Sequence, residues 1–285
     1  MKKLLLQIDP DPIPATFDTV VAYDGGADHV VTYPNIDPDN VHWITDGAIF
    51  TRAPKDKRFT AIFVGGSNMA KGETLFKAVK KKFFADFRVS VMLDSNGSNT
   101  TAAAGVAVMA KNRGLAGKKA VVLAGTGPVG MRAAVMLARE GATVTLTSRK
   151  MERAQASCDQ IHKSFGVAVT PVQAFSNADR AAALDGAHVC FATGAAGAQL
   201  LEKSHWQEHP TLQLIADANA TPPLGVDGVE MFDKAKERGD KVVWGAIGFG
   251  ALKLAVHRAC VGKLFEANDR VFDAEEIYAV AKEMA

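Results

Sequence analysis

The stretch from Lys118 to Gly130 limits the architecture of this chain more than any other. An apolar run, Ala120-Val121-Val122-Leu123, leads through Ala124 straight into Gly125-Thr126-Gly127-Pro128-Val129-Gly130, a G-x-G-x-x-G turn. Gly125 permits the tight turn, Gly127 lets backbone approach a pyrophosphate, and Gly130 lets the following helix lie close to the strand. Met131 to Glu140 has helix-forming composition, Gly141 ends it, and Thr143 to Leu146 begins a second strand. A unit of this kind belongs to doubly wound parallel sheets and sets an anion against a helix N-terminus, where free amides and the dipole favour it. A glycine-rich turn without a ligand is the weaker reading, because it leaves the intact βαβ context unexplained.

The end of the second strand decides which dinucleotide is expected. An acidic residue about 20 positions past the glycines would accept from the ribose hydroxyls of NAD. This chain carries Thr147-Ser148-Arg149-Lys150 there. A guanidinium, an ammonium and two hydroxyls suit a phosphate dianion, which a carboxylate would repel. The expected cofactor is therefore NADP, held by Ser148, Arg149 and Lys150. The alternative is a solvated basic start to the next helix.

At 285 residues the chain is long enough for two domains, each with its own core. A net charge of +2 with 48% hydrophobic residues lacks the concentrated basic face of a nucleic-acid binder. Lys80-Lys81-Lys82 is the one basic run, and Leu75, Phe76, Val79 and Phe83 recur around it at helical spacing, so it reads as a solvated helix end. Cys158, Cys190 and Cys260 are scattered and odd in number, which suggests neither a disulfide framework nor a metal site and fits a reducing cytoplasm. The apolar run at the N-terminus is too short for a signal peptide, and no segment has the length and apolarity of a membrane span.

Before the fingerprint, strands at Leu4 to Ile8, Val30 to Thr32, Thr60 to Val64 and Val89 to Leu93 alternate with helices near Thr16 to Val21, Pro38 to Thr45 and Met69 to Phe84. The polar run from Asp94 to Thr101 then opens an alanine-rich helix. After the fingerprint, strands at Ala168 to Val172, His188 to Ala192, Leu212 to Ala216 and Val242 to Ala246, with helical stretches between, give a Rossmann-type cadence. The expected class is α/β: an N-terminal α/β substrate domain (1–114, completed by helices in 252–285), a Rossmann-type doubly wound parallel sheet domain (115–251), and a cleft between them. Two helices broken near Asn268-Asp269 are expected at the C-terminus. Three loops at strand ends are expected on the nicotinamide side, offering Thr193, Gly194 and Ala195, then Asp217 and Asn219, then Gly248 in the run from Gly245 to Gly250.

The chemistry available is that of a cleft. There is no G-x-S-x-G elbow, no C-x-x-C pair and no Walker loop. His205-Trp206-Gln207-Glu208-His209 matches H-x-x-E-H, but Pro210 follows at once and no third ligand is evident, so no metal site is expected. The polar residues Asp18, Asp94, Ser95, Asn96, Ser98, Asn99 and Thr101, with Gly97, stand at element ends. Each also has an ordinary role, since Asp, Asn and Ser cap helices and build turns. Lys253 follows a glycine-rich loop and opens an apolar stretch, which points it toward a cleft.

Five stretches carry a resemblance: Tyr23 to Asp28, Ala61 to Gly66, Leu93 to Gly105, Ala124 to Arg132 and Phe272 to Tyr278. They resemble the NADP-dependent methylene-tetrahydromethanopterin dehydrogenases of methylotrophic bacteria, over essentially the whole chain. The resemblance implies an enzyme of one-carbon metabolism that oxidises the methylene group bridging two nitrogens of a reduced pterin carrier, and some members also accept methylene-tetrahydrofolate. It implies Lys253 near the reacting centre, orienting a pterin carbonyl or tail group, with Asp18 or Asp94 compensating its charge. It also implies a homo-oligomer built of trimers.

One competing reading is a bifunctional folate dehydrogenase/cyclohydrolase, which carries a Tyr-x-x-x-Lys pair on its first domain; in the N-terminal domain here Tyr23 is followed four places on by Ala27 and Tyr33 by Asp37. A shikimate-dehydrogenase-like enzyme would need a Lys and Asp acid/base pair on the first domain, which nothing in the sequence requires. The third is a non-catalytic NADP(H)-binding regulator, against which the polar loop from Asp94 to Thr101 argues for a second ligand.

Overall fold

The computed structural model describes all 285 residues. They form two compact units, Met1–Thr100 with Leu254–Met284 in the first, and Thr101–Lys253 with the terminal Ala285 in the second.

The first unit is a five-stranded parallel sheet in the order β12-β4-β3-β1-β2. Its strands are β1 (Leu4–Ile8), β2 (His29–Tyr33), β3 (Thr60–Val64), β4 (Ser90–Leu93) and β12 (Val271–Phe272). The apolar runs of β3 and β4 are buried along their whole length, as strands covered on both faces must be. β2 holds only half-buried and exposed positions because it is an edge. The helices are α1 (Thr16–Asp24), α2 (Val41–Phe50), α3 (Met69–Lys81) and α9 (Ala274–Met284). α3 buries Met69, Gly72, Leu75, Phe76 and Val79 at helical spacing, and Lys80 and Lys81 fall in its last turn beside a Lys82–Asp46 ion pair of 3.2 Å. The basic run is thus a helix end.

The second unit is a seven-stranded sheet, β10-β11-β9-β8-β5-β6-β7, parallel except for β10. Its strands are β5 (Lys119–Leu123), β6 (Thr143–Ser148), β7 (Thr170–Gln173), β8 (Val189–Ala192), β9 (Leu214–Asp217), β10 (Lys236–Arg238) and β11 (Lys241–Trp244). Read from β7, the parallel strands run 3-2-1-4-5-6, the doubly wound order that the fingerprint predicts. The helices wholly inside this unit are α5 (Pro128–Arg139), α6 (Met151–Phe165) and α7 (Asn177–Ala183). Gly141, at φ +83°, follows α5, and Gly166, at φ +69°, caps α6. The chain changes unit within α4 (Ser98–Arg113) and again within α8 (Ala246–Leu264).

Two expectations need correction, and a third gains detail. The run Gly245 to Gly250 is no loop, because α8 begins at Ala246 and its glycines allow the first turn to lie on backbone at Met231 to Asp233. No α-helix separates β8 from β9 or β9 from β11; those connections hold a short 3-10 turn at Lys203–His205 and the hairpin strand β10. The break in the C-terminal helices holds β12, which pairs with β4. The His205–His209 segment is a connection anchored by Trp206, fully buried with its indole N–H donating to Asp227 O at 2.8 Å.

Candidate functional site

In the second unit the strand order reverses between β5 and β8, and open α/β sheets place ligands outside the carboxyl ends of strands at such a point. Thr147, near the end of β6, shapes the turn there: its hydroxyl accepts from Ala124 N at 3.0 Å and its carbonyl accepts from Gly125 N at 3.0 Å. A Cβ on Gly130 would sit 2.5 Å from Gly125 Cα and 2.6 Å from Thr193 Oγ1, so helix and turn touch backbone to backbone. A Cβ on Gly127 would meet nothing within 4 Å. Gly127 is also the N-cap of α5, Pro128 opens the helix, and no side chain caps it. The turn therefore offers amides and open space to an anion, with Thr126, Pro128 and Val129 half-buried around it.

Beside it lies a cavity of about 460 Å³ whose walls include Thr147, Ser148 and Arg149 from the end of β6, Phe175 after β7, and Gly194 and Leu200 after β8. Ser148 is buried, while Arg149 and Lys150 are exposed. The Arg149 side chain has no hydrogen bond or ion pair within the protein; only its carbonyl is used, accepting from Gln173 Nε2 at 3.2 Å. The Phe175 ring is 69% exposed and forms one face of the cavity. Sequence reasoning missed both Phe175 and Arg180. The Arg180 guanidinium donates to Leu200 O at 2.5 Å, to Phe175 O at 3.0 Å and to Asn177 Oδ1, tying two walls together. Burial lowers its pKa, with the nearby Arg149 charge acting in the same direction and Asp179 against.

The other residues expected at strand ends have local partners. The Thr193 hydroxyl donates to Leu123 O at 3.1 Å, Gly194 leaves room for Leu200, and Ala195 is exposed. The buried carboxylate of Asp217 accepts from Asn219 N at 3.0 Å and Val226 N at 2.9 Å, and burial holds its pKa above the usual carboxylate range. Asn219 accepts from Thr221 N at 2.9 Å and donates to Pro223 O at 3.1 Å. Both side chains thus fold their own loop. Gly248 N donates to Met231 O at 3.2 Å.

In the first unit the order reverses between β1 and β3, and polar residues gather at the carboxyl ends there. Asp9, which ends β1 and was not anticipated, is buried and accepts from Asp11 N at 2.8 Å and Ala15 N at 3.3 Å. Burial raises its pKa against the opposing pull of those amides. A Cβ on Gly65 would lie 3.1 Å from Asp18 Oδ2 and 3.4 Å from Asp9 Oδ2, so two buried carboxylates lie close to the same bare glycine. Asp94 caps α4, accepting from Asn99 N at 2.9 Å, Thr100 N at 3.0 Å and Thr100 Oγ1 at 2.6 Å. His257, another unanticipated residue, stands 3.8 Å from Asp94 Oδ2 and stacks on Phe63 at 5.3 Å.

Around Asp94, the Ser95 hydroxyl donates to Gly65 O at 2.5 Å, and Asn96, exposed at φ 55°, donates its N–H to Gly66 O at 2.7 Å. Gly97 is also in the left-handed region, at φ 58°. The Asn99 amide donates to Leu93 O at 2.7 Å. The Ser98 hydroxyl is buried with no hydrogen-bond partner. Thr101 and Lys253 are half-buried, on α4 and α8, and both belong to the second unit.

Residues 16–96 match the family described as methylene-tetrahydromethanopterin dehydrogenase, N-terminal. Among curated proteins of Methylorubrum extorquens, the chain is 58% identical to one named Bifunctional protein MdtA, over 100% of this chain and 99% of that one. It is 31% identical to an NAD(P)-dependent methylenetetrahydromethanopterin dehydrogenase from the same organism, again over 100% and 99% of the two chains. Among solved structures it is similar in fold to shikimate 5-dehydrogenase from Listeria monocytogenes, crystallised with shikimate and NAD. That likeness has a TM-score of 0.54 at 11% identity and covers 98% of this chain and 96% of the other.

Proposed function

Because the chain belongs to the methylene-tetrahydromethanopterin dehydrogenase family, we propose that it oxidises the methylene group of a reduced pterin carrier with NADP, giving the methenyl carrier and NADPH. The carrier is methylene-tetrahydromethanopterin, with methylene-tetrahydrofolate accepted as well. The observation that carries the cofactor half of this reading is the end of β6: Ser148 and an unpartnered Arg149 line a cavity where an NAD-binding chain would hold a carboxylate. Ser148, Arg149 and Lys150 take the 2′-phosphate, and the turn from Gly125 to Gly130 takes the pyrophosphate on the uncapped end of α5. Thr193, Gly194 and Ala195 lie toward the nicotinamide, and Asp217, Asn219 and Gly248 shape that side through their own loops.

Bound NADP supplies the hydride acceptor. The carbon that loses hydride sits between two nitrogens whose lone pairs stabilise the cation formed, so no side chain has to move a proton in that step. The protein contributes position and exclusion of water. Asn96, Gly97 and Thr101 offer the pterin a polar rim, the buried Ser95, Ser98 and Asn99 support that loop from within, and Lys253 orients the pterin carbonyl. With the Asp94 oxygens engaged by the α4 cap, Asp18 is the carboxylate we assign to offset the Lys253 charge. The reading further places the protein in the cytoplasm as a trimer-based homo-oligomer. The exposed cluster of Phe50, Phe84 and Phe87 supports self-association, which sedimentation would test.

The deciding experiment follows NADPH formation by the purified protein with each carrier and with NADP or NAD. Turnover with NADP and a methylene carrier is expected, and absence of turnover with both carriers refutes the reading. Because a relative is named bifunctional, methenyl-carrier hydrolysis is measured in parallel. With no Tyr-x-x-x-Lys pair at Tyr23 or Tyr33, and with Tyr278 of the Tyr278/Lys282 pair buried on the C-terminal helix α9, the expected rate is the uncatalysed one.

A further inference from the structure

The first unit has a second cavity, of about 500 Å³, lying among the loop after β1, the loop after β2 and the first turns of α3. We propose that it binds the aryl tail of the pterin carrier and that Lys71 pairs with the anionic group the tail bears. This inference rests on the pterin reading above and adds a site to it.

Three observations carry it. The first is chemical. Pro10, Ile36, Pro38 and Ala70 give the cavity apolar walls, which suit a flat ring. The second is electrostatic. Oδ1 of the Asp37 carboxylate turns back on its own loop, accepting from Asp39 N at 2.9 Å and Asn40 N at 3.0 Å, and the Thr74 hydroxyl donates to Ala70 O at 2.9 Å. Lys71, exposed at the rim, uses its backbone N–H on the Asn68 cap, but its ammonium has no ion pair or hydrogen bond. An apolar slot with one uncommitted cation fits a ring that carries an anion. The third is position. Pro10 follows Asp9 directly, and a Cβ on Gly66 would lie 2.6 Å from Pro10 Cδ, so the cavity wall is continuous with the turn that holds the Asp9 and Asp18 carboxylates.

The substrate has a matching shape. In both carriers one of the two bridged nitrogens is an arylamine, and its ring continues into a tail that bears carboxylate or phosphate. A pterin head at the β1/β3 switch point would send that ring away along the carboxyl edge of the sheet, where the cavity opens.

The test compares methylene-tetrahydrofolate with the corresponding methylene-tetrahydropterin that ends in an unsubstituted N-phenyl ring and carries no anion. Lys71→Ala is expected to raise KM for the folate by about two- to fivefold, the range of one exposed ion pair. Lys71→Glu should raise it further, with kcat unchanged, and added salt should shrink the difference from wild type. Neither variant should change KM for the neutral analogue. Ala70→Trp, which fills the apolar slot, should raise KM for both substrates. Equal effects of Lys71→Glu on the charged and neutral substrates, or no effect on either, would overturn the assignment. Absence of wild-type turnover with any carrier would instead remove the pterin reading, and this site with it.

Discussion

Replacing Arg149 by alanine should cost the protein its preference for NADP while leaving its fold intact. The side chain is exposed and bonds to nothing in the protein, so its loss leaves no buried group unsatisfied. Surface substitutions of this kind change stability by only about 0.5 kcal/mol in either direction. A hydrogen bond to a charged group contributes roughly 1.5–3 kcal/mol, and solvent at the cavity mouth pulls the value toward the lower end. If one or two such bonds reach the 2′-phosphate, kcat/KM for NADP should fall by about 10- to 150-fold. NAD lacks that phosphate and should lose little. The assay is initial-rate kinetics at saturating carrier with each dinucleotide, with NADPH binding measured by titration calorimetry. Arg180→Ala is the internal contrast. Because Arg180 donates to Leu200 O, Phe175 O and Asn177 Oδ1, its removal should weaken both dinucleotides together by loosening the cavity walls. An Arg149→Ala variant that lost NADP and NAD activity in equal proportion, or kept its preference, would refute the assignment of the β6 end to the phosphate.

Gly130→Ala should lower stability by about 1–3 kcal/mol and abolish dinucleotide binding, because its Cβ would fall 2.5 Å from Gly125 Cα; a melting temperature equal to wild type would contradict the close helix approach. The three cysteines should resist a thiol reagent in the native protein at pH 8. Burial pushes the Cys158 thiol up to about 11 and that of Cys260 to about 12, and raises Cys190 as well, so only after denaturation should all of them react. One thiol reacting within minutes in the folded chain would count against their burial. Asp217→Asn should destabilise by roughly 1–3 kcal/mol for each loop amide left without its acceptor. Its deficit should also depend on pH. Since the folded pKa of Asp217 lies above 3.8, the native state of the wild type binds more protons than the unfolded state just above that pH, and its advantage shrinks as pH rises through the folded pKa. A deficit that grew over that range would show the sign to be wrong.

What the sequence made legible was what it encodes locally. The glycine turn could be read because each glycine answers to a neighbour within a few residues or on the adjacent strand: Gly130 to Gly125, and Gly125 to Leu146. Ser148 and Arg149 could be read because the βαβ unit fixes where the second strand must end. The short strands β10 and β12 could not, since three and two residues carry no periodicity and form only because an edge of each sheet is there to pair with. Gly245 to Gly250 looked like a loop by composition; in fact Gly248 is small because the first turn of α8 rests on Asp233 backbone, where a Cβ would lie 1.7 Å from Asp233 O.

The same reasoning separates two kinds of aspartate that look alike in sequence. Asp94 follows a strand and Asp217 ends one, each precedes a polar loop, and both have their oxygens taken by backbone amides close behind them. Asp9 also accepts from amides of the loop behind it, at Asp11 and Ala15, but it lies close to the same bare glycine, Gly65, as a second buried carboxylate, Asp18 of α1. A carboxylate satisfied by its own loop serves the fold first. Two buried carboxylates gathered at a topological switch point are placed where their charge can act on a ligand as well, and Asp9, which no sequence pattern singles out, therefore stands with Asp18 as a residue to mutate when the pterin site is mapped.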